Sequence, residues 1–387
     1  MGILAAVHGY FWLRLVRQTQ LNSPFRTWCT GLCVGLAILV PLSLLAARVV
    51  GRPWAGILSW PGHVWLGLML LLLSTLLATD LVRGVVALAA LFRPDHRLDA
   101  AKWLSLTRGL AVASVAVTAL VGGWAVIQGM RTPLVRELRV TIAGLPPALA
   151  GRTIVQLTDM HVGAEKSHRS TDEVVRRTNE LHPDLIVITG DLVEGRFGAI
   201  HGDMAPLAEL RAPWGVFMVT GNHEYYSGVR EWLPELERLG IRVLRNERVA
   251  VGDGETLDLA GIDDWNAASV DAEHGPDLGR ALGGRAPDKP VILLTHQPRA
   301  AIPASRLGAS LVLSGHTHGG QIWPFNYLVR LQQPFIEGVH KVGRSLLYVS
   351  PGTGYWGPPM RLGTRAEITR ITLLPGAENS VVAARPR

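Results

Sequence analysis

The stretch Leu311-Val312-Leu313-Ser314-Gly315-His316-Thr317-His318-Gly319-Gly320-Gln321 decides the fold of this chain, because an apolar run ends abruptly in two histidines set among glycines. A short apolar run bounded by glycine is typical of a buried strand. Two imidazoles at the end of such a strand are suitable metal ligands, although a lone His-x-His pair also arises by chance. The interpretation as a metal site therefore depends on polar side chains at other strand ends.

Four further short apolar runs also end in polar side chains. The clusters that follow them are Asp159-Met160-His161, Gly190-Asp191, Gly221-Asn222-His223-Glu224 and Thr295-His296. In open α/β sheets, sites form beyond the carboxyl ends of the strands, so we expect all five clusters to converge. The glycines before Asp191, Asn222 and His316 suit a chain that turns sharply toward a metal, where permissive φ and close backbone approach are needed.

Seven side chains are candidate metal ligands, and they are carboxylates, imidazoles and one amide. They are Asp159, His161, Asp191, Asn222, His296, His316 and His318. The set contains no thiolate, which suits Mn, Fe, Zn or Mg. It exceeds what one tetrahedral ion needs, so we expect two divalent metal ions. Cys29 and Cys33 both lie in an apolar run, which excludes a cysteine-based zinc site in the rest of the chain.

From residue 138 onward, apolar runs rich in β-branched residues alternate with helical patterns. This alternation predicts a largely parallel sheet covered by helices, and the number of runs is accommodated by two packed sheets with outer helices. The predicted fold class is therefore α/β, a four-layer sandwich of two packed β-sheets flanked by helices. We place this domain at residues 136–375 and expect residues 376–387 to form a disordered tail.

Residues 1–135 are different in character, because long apolar stretches dominate them. Three stretches are long enough to cross about 30 Å of hydrocarbon, and one shorter stretch is a candidate partial span; they lie near residues 27–47, 60–82, 109–129 and 2–14. Buried core helices are the alternative, but core helices seldom run 20 residues without a charge. We therefore expect an all-α transmembrane region of three or four helices, with the lipid bilayer as partner. Asp80 and Arg83, at i and i+3, are expected to pair on one helix face.

The charge balance also divides the chain. Residues 1–137 hold 12 Lys and Arg against 4 Asp and Glu, whereas residues 138–387 hold 26 against 27. Because binding to a phosphate backbone needs clustered basic side chains, no nucleic-acid partner is expected. Near the span ends, eight basic residues lie on one side of the membrane and five on the other. The positive-inside rule places the side with eight in the cytoplasm, which favours a location outside the cytoplasm for the α/β domain. We expect an integral protein of a bacterial plasma membrane, with its sidedness open.

In order and spacing, the five polar clusters resemble the calcineurin-like metallophosphoesterase family. The likeness covers residues 138–375, and the Gly-His-Thr-His-Gly-Gly-Gln form is similar to a branch that is often membrane-linked. The resemblance implies one ion held by Asp159, His161, Asp191 and His318, and a second held by Asp191, Asn222, His296 and His316. Asp191 would then bridge the ions. It further implies that His223 is catalytic and protonates the leaving oxygen, and Glu224 is expected to orient His223 or a loop.

The implied function is that of a membrane-anchored two-metal phosphoesterase, which hydrolyses a phosphodiester or pyrophosphate bond through a hydroxide shared by the ions. The expected substrate is a small phosphoester or a lipid-linked molecule, because aromatic loops at residues 319–327 and 352–361 suit an apolar group. Arg361 is a candidate phosphate contact. One alternative is a UDP-2,3-diacylglucosamine pyrophosphatase of lipid A synthesis, whose cytoplasmic substrate conflicts with an external domain. Others are a small-nucleotide phosphodiesterase and a non-catalytic membrane metal-binding sensor. The oligomeric state stays open.

Overall fold

The computed structural model describes residues 2–50, 54–93, 95, 97–166, 168–286 and 288–386. The chain divides into two compact units, which we call the helical unit and the sheet unit. The helical unit comprises residues 1–130 and 357–360, and the sheet unit comprises residues 131–356 and 361–387. The division after residue 130 lies close to the boundary expected at residue 135.

Long helices make up the helical unit. Its α-helices are α1 (Gly2–Trp12), α2 (Ser23–Val49), α3 (Trp54–Phe92) and α4 (Ala100–Gly129). Helices α2, α3 and α4 are long and apolar enough to cross a membrane, over Ser23–Ala46, Trp54–Phe92 and Ala100–Gly129. The candidate partial span at residues 2–14 corresponds to α1, whose 11 residues are fewer than the roughly 20 that a spanning helix needs.

The spanning helices expose large apolar side chains and pack through small ones. Leu81, Phe92 and Leu120 are 71%, 80% and 76% exposed. Where α2 packs on α3, a Cβ atom on Gly62 would lie only 2.2 Å from Ser43 Oγ. An apolar exterior with small residues at the helix contacts is typical of helices in lipid, where apolar burial between helices brings little gain.

A charged cluster lies inside the helical unit around Asp80. The expected pair with Arg83 is present, with Nη2 donating to Asp80 Oδ1 at 2.6 Å. Arg14 Nη2 and Tyr10 Oη donate to Asp80 Oδ2 at 2.5 and 2.7 Å. We call these four residues the Asp80 cluster. Its carboxylate is paired with two guanidinium groups, which offsets the cost of removing a charge from water.

The sheet unit contains strands of two large sheets and one small ribbon. Within the described residues the strands are β1 (Leu134–Ala143), β2 (Thr153–Leu157), β3 (Val162–Gly163), β4 (Leu185–Ile188), β5 (Val193–Glu194), β6 (Val216–Met218), β7 (Ile241–Val243), β8 (Glu247–Val251), β9 (Leu257–Gly261), β10 (Val291–Leu294), β11 (Leu311–Ser314), β12 (Gly338–Val342), β13 (Ser345–Val349), β14 (Glu367–Gly376) and β15 (Ser380–Pro386). The α-helices are α5 (His168–Asn179), α6 (Phe197–Met204), α7 (Asn222–Tyr226), α8 (Val229–Arg238), α9 (Leu278–Leu282), α10 (Ala301–Arg306) and α11 (Asn326–Gln332).

The two large sheets pack face to face beneath outer helices. Their strand orders are β15-β1-β14-β2-β4-β6-β7 and β12-β13-β11-β10-β9-β8, and β3 pairs with β5. Successive side chains of a strand point to opposite faces. In β4, Leu185 and Val187 therefore lie in the core between the sheets, whereas Ile186 and Ile188 lie in the core shared with α5 and α8. Helix α10 packs on the outer face of the smaller sheet. The predicted four-layer α/β sandwich is confirmed.

The disordered tail predicted for residues 376–387 is wrong over β15. This strand pairs antiparallel with β1, and Thr141 and Ser380 are opposite each other with their hydroxyl oxygens 2.6 Å apart. Asn379 Oδ1 also accepts from Ala143 N at 2.8 Å. The Ala and Pro content indicated disorder, but an edge of β1 was available for pairing, and a distant strand cannot be read from local composition.

Candidate metal centre

The sheet topology brings the five polar clusters to one place. Asp159, Asp191 and Asn222 follow β2, β4 and β6, which are neighbours in the larger sheet. His296 and His316 follow β10 and β11, which are neighbours in the smaller sheet. Both sets of strands run parallel, so their carboxyl ends meet at the same edge. The structure thus brings all seven predicted ligand side chains together with His223.

One group of ligand atoms contains Asp159, His161 and His318, whose donor atoms all lie within 4.8 Å of one another. His318 Nε2 is 3.4 Å from Asp159 Oδ1 and 3.1 Å from His161 Nε2. All three side chains are buried. This is the set that the resemblance assigns to the first ion.

A second group contains Asp191, His296 and His316, again within 4.8 Å of one another. His296 Nε2 lies 3.1 Å from Asp191 Oδ2 and 3.1 Å from His316 Nδ1. Asp191 Oδ2 is also 3.7 Å from His161 Nε2 of the first group. The Asp191 carboxylate therefore lies between the two groups, where a bridging ligand has to be.

The donor set fits two divalent cations. Asn222 Oδ1 is buried and has no hydrogen-bond partner among the described residues, and a buried acceptor without a partner costs about 1–3 kcal/mol. Burial lowers the pKa of His161 and of His318, and it lowers the pKa of His316 to about 3. These imidazoles are therefore neutral at physiological pH and keep the lone pair that a metal binds. The assignment of each residue to an ion stays a prediction.

The backbone at the metal centre is strained. Asp159, His161, Asp191, His316 and His318 have φ between 46° and 72°. Residues with a Cβ atom seldom adopt this left-handed region, and each instance costs about 1–3 kcal/mol. Such strain persists where the surrounding fold imposes it, and it is concentrated at functional sites. Here it allows the chain to turn from each strand end directly toward the shared centre.

The glycines beside the ligands serve two different needs. Gly190 has φ 90°, so it supplies the permissive backbone that the sequence predicts. Gly221 has φ −103°, and its requirement is space, because a Cβ atom there would lie 2.2 Å from Asp191 Oδ1. At Gly315 a Cβ atom would lie 2.1 Å from Asp159 Oδ2. Gly190 is also close-packed, since a Cβ atom there would lie 2.7 Å from His296 Nδ1. Close approach therefore requires glycine at all three positions, and at Gly190 the positive φ requires it as well.

His223 lies beside the two ligand groups and is paired with Glu194. His223 Nδ1 lies 2.6 Å from Glu194 Oε2, and His223 Nε2 lies 4.0 Å from Asp191 Oδ2. Burial alone would lower the pKa of His223, but the Asp191 and Glu194 carboxylates outweigh it and raise that pKa to about 9. The imidazole is therefore protonated at neutral pH, as a general acid has to be.

Glu194 is a functional residue that the sequence reasoning missed. It also bonds His161 Nδ1 at 2.8 Å, so one carboxylate orients both a predicted ligand and the predicted acid. Burial raises the pKa of Glu194, but its hydrogen bonds to His161 and His223 outweigh that effect and lower the pKa to about 2. The available signal was a second carboxylate three residues after Asp191. Its partners His161 and His223 lie in the loop after β2 and in α7, about 30 residues away in the chain on either side, so sequence spacing alone did not reveal them.

Glu224 orients a loop rather than His223. Its carboxylate accepts hydrogen bonds from the backbone N–H groups of Gly221 and Asp191 at 2.6 and 2.9 Å, and from those of Leu192 and Val193 at 2.7 and 3.2 Å. Glu224 is fully buried, and burial together with the Asp191 charge raises its pKa to about 7. The side chain therefore fixes the turn that presents Asp191.

Two cations near the centre hold backbone rather than face a substrate. Arg361 is completely buried, and its Nη2 donates to Pro351 O and Gly354 O at 2.7 and 2.5 Å. Lys166 Nζ donates to Met160 O and Tyr355 O, both at 2.6 Å. Burial lowers the pKa of Arg361 to about 10 and that of Lys166 to about 7. The expectation that Arg361 contacts phosphate is therefore wrong for the structure described.

The opening beside His223 is aromatic. The ring centroids of Tyr226 and Trp356 lie 5.4 and 5.9 Å from that of His223. Tyr226 is 61% exposed and Trp356 is 48% exposed. The two rings therefore present exposed apolar surface beside His223.

Comparisons with known proteins agree with this geometry. A family model described as "Calcineurin-like phosphoesterase" matches residues 152–320. The chain is 33% identical over 380 residues to a Danio rerio protein named "Transmembrane protein with metallophosphoesterase domain", covering 94% of this chain and 85% of the relative. A Bos taurus protein of the same name is 42% identical over 288 residues, covering 71% of this chain; the chain spans 64% of that relative's length. A solved dimetal phosphatase from Danio rerio is 13% identical with a TM-score of 0.40, covering 60% of this chain and 99% of that chain, which is too distant to support a functional argument.

Proposed function

We propose that this chain, which belongs to the calcineurin-like phosphoesterase family, hydrolyses a phosphodiester or pyrophosphate bond of a lipid or lipid-linked substrate. Its relatives and its three apolar helices make it a membrane protein. Family membership and the two ligand groups support metal-dependent phosphoester hydrolysis with two divalent ions. The proposal adds the type of bond and the class of substrate.

The aromatic surroundings of His223 carry the proposal. The residue predicted to protonate the leaving oxygen contacts the exposed rings of both Tyr226 and Trp356. Aromatic side chains contribute large apolar contact areas and a polar edge, which suits a leaving group or flanking group with an apolar body. A lipid or a lipid-linked phosphoester has that character.

The charges at the site favour a singly charged phosphorus centre. A phosphomonoester carries two negative charges, and its recognition calls for additional cationic donors aimed at the phosphoryl oxygens. Arg361 and Lys166 donate instead to backbone carbonyls. A diester or pyrophosphate linkage, with one charge on each phosphorus, is matched better by this arrangement.

The residues of the chain have separable tasks in the proposed reaction. When bound, two divalent cations supply Lewis acidity and activate water for in-line displacement at phosphorus. His223 Nδ1–H donates a hydrogen bond to Glu194 Oε2, so the Nε2–H of the imidazolium is available for the leaving oxygen. The water oxygen bonds to phosphorus as the bond between phosphorus and the leaving oxygen breaks. The proton that the water loses passes to solvent, the leaving oxygen takes the His223 Nε2 proton, and solvent protonates His223 again. Glu224 holds the Asp191 turn in place meanwhile.

A substrate panel tests the proposal on the full chain in detergent with Mn²⁺. The panel contains bis(p-nitrophenyl) phosphate, p-nitrophenyl phosphate, phosphatidylglycerol and UDP-2,3-diacylglucosamine. We expect kcat/KM for the diester to exceed that for the monoester by about 10-fold or more, because Arg361 and Lys166 donate to backbone carbonyls rather than to a second phosphoryl charge. Turnover of either lipid would support the substrate class. Turnover of phosphatidylglycerol would indicate a phosphodiester bond, and turnover of UDP-2,3-diacylglucosamine would indicate a pyrophosphate bond. Preference for the monoester, or no turnover with metal demonstrably bound, contradicts the proposal.

A further inference from the structure

One segment of the sheet unit exposes a continuous series of large apolar side chains. Within nine consecutive residues, Trp323, Phe325, Tyr327, Leu328 and Leu331 are 52%, 39%, 60%, 54% and 82% exposed. We call residues 323–331 the interfacial segment. Single exposed apolar residues are ordinary on a protein surface, but a cluster of five marks an interaction site.

The helix that begins in this segment contacts its own unit on one side but buries none of its residues there. Helix α11 has seven residues, Asn326–Gln332, and none of them is buried. An isolated helix shorter than about 12–15 residues is marginal in water, and helices in proteins are stabilised mainly by packing an apolar face. The apolar side chains of α11 therefore need a surface outside the sheet unit to cover them.

Both ends of the interfacial segment are attached to the metal centre. Its first residues follow the turn at His318, and on the far side Gln333 Nε2 donates to Gln297 Oε1 at 3.1 Å, directly after the predicted ligand His296. Thr317 Oγ1 donates to Ile336 O at 2.5 Å. The chain leaves the metal centre, presents the apolar surface and returns to it. Whatever covers this surface is therefore adjacent to the reaction site.

The composition and covalent linkage of the segment favour a bilayer as the covering surface. From Trp323 to Gln333 the chain has one charged residue, Arg330, and no acidic residue. Trp and Tyr prefer the membrane–water interface, and Arg extends its charge to the headgroups while its stem stays apolar. Only residues 130–133 separate α4 from β1. Because this linker is short, the sheet unit meets the bilayer that holds α4 at a high effective concentration.

We propose that the interfacial segment is a membrane-contact surface, which inserts its apolar side chains into phospholipid so that a lipid-linked substrate passes from the bilayer to the metal centre without crossing water. This inference rests on the proposed function for its purpose, because only a lipid substrate requires such a path. The contact itself is a separate physical statement and is tested separately.

Fluorescence quenching tests the contact. In a Cys29→Ser, Cys33→Ser background, an environment-sensitive fluorophore is attached at Leu331→Cys in the full chain and the protein is placed in phosphatidylcholine vesicles. The matched control is Leu307→Cys, because Leu307 is also an exposed apolar residue of the sheet unit, 44% exposed. We expect nitroxide-bearing lipid to quench the label at residue 331 but not at 307, and aqueous iodide to give the reverse. Quenching of residue 331 by iodide alone overturns the proposal; shielding from both quenchers also overturns it and indicates a protein partner or second copy.

A paired activity measurement tests the consequence. The variant Leu328→Ser with Leu331→Ser is compared with a control, Ile302→Ser with Leu307→Ser, whose residues are 40% and 44% exposed. We expect the first variant alone to lose about 10-fold of its turnover of phosphatidylglycerol in vesicles, since interfacial binding scales with buried apolar area. Turnover of bis(p-nitrophenyl) phosphate should stay unchanged in both. Full retention of lipid turnover overturns the inference, whereas absence of any hydrolysis in the unmodified chain contradicts the proposed function and leaves the quenching result to decide the contact.

Discussion

The Asp80 cluster of the helical unit and the metal centre of the sheet unit both remove carboxylates from water, but they do so in different ways. Asp80 is matched by the guanidinium groups of Arg14 and Arg83. Among the described residues, the ion-pair partners of Asp159 and Asp191 within 4.0 Å are all histidines. At Asp80 the negative charge is balanced by cations of the chain itself, whereas the metal centre gathers carboxylates and imidazoles, which are donor groups that divalent cations bind.

The surfaces of the two units differ in how many large apolar side chains they expose. Large apolar side chains such as Phe92 and Leu120 are exposed on the spanning helices, whereas the sheet unit keeps most of its apolar side chains between layers. Within the sheet unit, the interfacial segment exposes clustered large apolar side chains, as the spanning helices do. Because the same physical rule applies to both, the segment is expected to meet the same apolar medium.

The largest effects should come from the metal centre itself. Asp191→Ala is expected to lose both metal and activity, because Asp191 lies between the two ligand groups. His223→Ala should keep the metal but lose about 10²–10⁴-fold in kcat, the usual contribution of a general acid. Metal content by elemental analysis and kcat on bis(p-nitrophenyl) phosphate separate the two outcomes. Equal metal loss in both variants would remove His223 from its assigned role.

A smaller effect is expected from the carboxylate that orients His223. In Glu194→Gln the imidazolium loses a negative partner, so the pKa of His223 falls below the value of about 9 that it has with Glu194 present. The protonated form is the active acid, so kcat should begin to fall at a lower pH on the alkaline side. At pH 8 we expect a loss of about 10–100-fold, as for other groups that orient a functional side chain.

The pH–rate profile and the metal content check this prediction. Glu180→Gln is the control, because Glu180 is an exposed carboxylate that pairs with Arg176 on α5. An alkaline limb that does not move in Glu194→Gln would show that Glu194 has no influence on the general acid. Loss of metal without a shift of the alkaline limb would show that Glu194 orients the predicted ligand His161 but not His223.

The smallest effect on chemistry should come from the helical unit. Asp80→Asn leaves Arg14 and Arg83 without their carboxylate, which should lower the free energy of unfolding by about 1–3 kcal/mol. Turnover of bis(p-nitrophenyl) phosphate per folded molecule should stay the same. Thermal unfolding in detergent measures the change, and Asp99→Asn is the control, since Asn caps a helix as well as Asp does. A large loss of kcat at unchanged stability would contradict the assigned structural role of the Asp80 cluster.

Local patterns in the sequence were sufficient for most of the architecture. Runs such as Leu311–Ser314 ended where their apolar residues ended, and the polar residues beyond them lie at the metal centre. The Asp80–Arg83 pair followed from helical spacing. The sequence did not predict that residues 380–386 form strand β15, because its partner β1 is distant in the chain. Composition describes only the segment itself, whereas pairing depends on an edge elsewhere in the fold.

By itself, the sequence determined the division into an apolar helical region and an α/β region, and the residue types that gather at five strand ends. Both depend on periodicity and residue chemistry within short windows, which the chain carries before it folds. The tertiary structure alone decided that Glu194 pairs with His223, that Arg361 is buried near the site, and that no residue of α11 is buried. These facts depend on which distant segments the packing of two sheets brings together, and no local pattern encodes that choice.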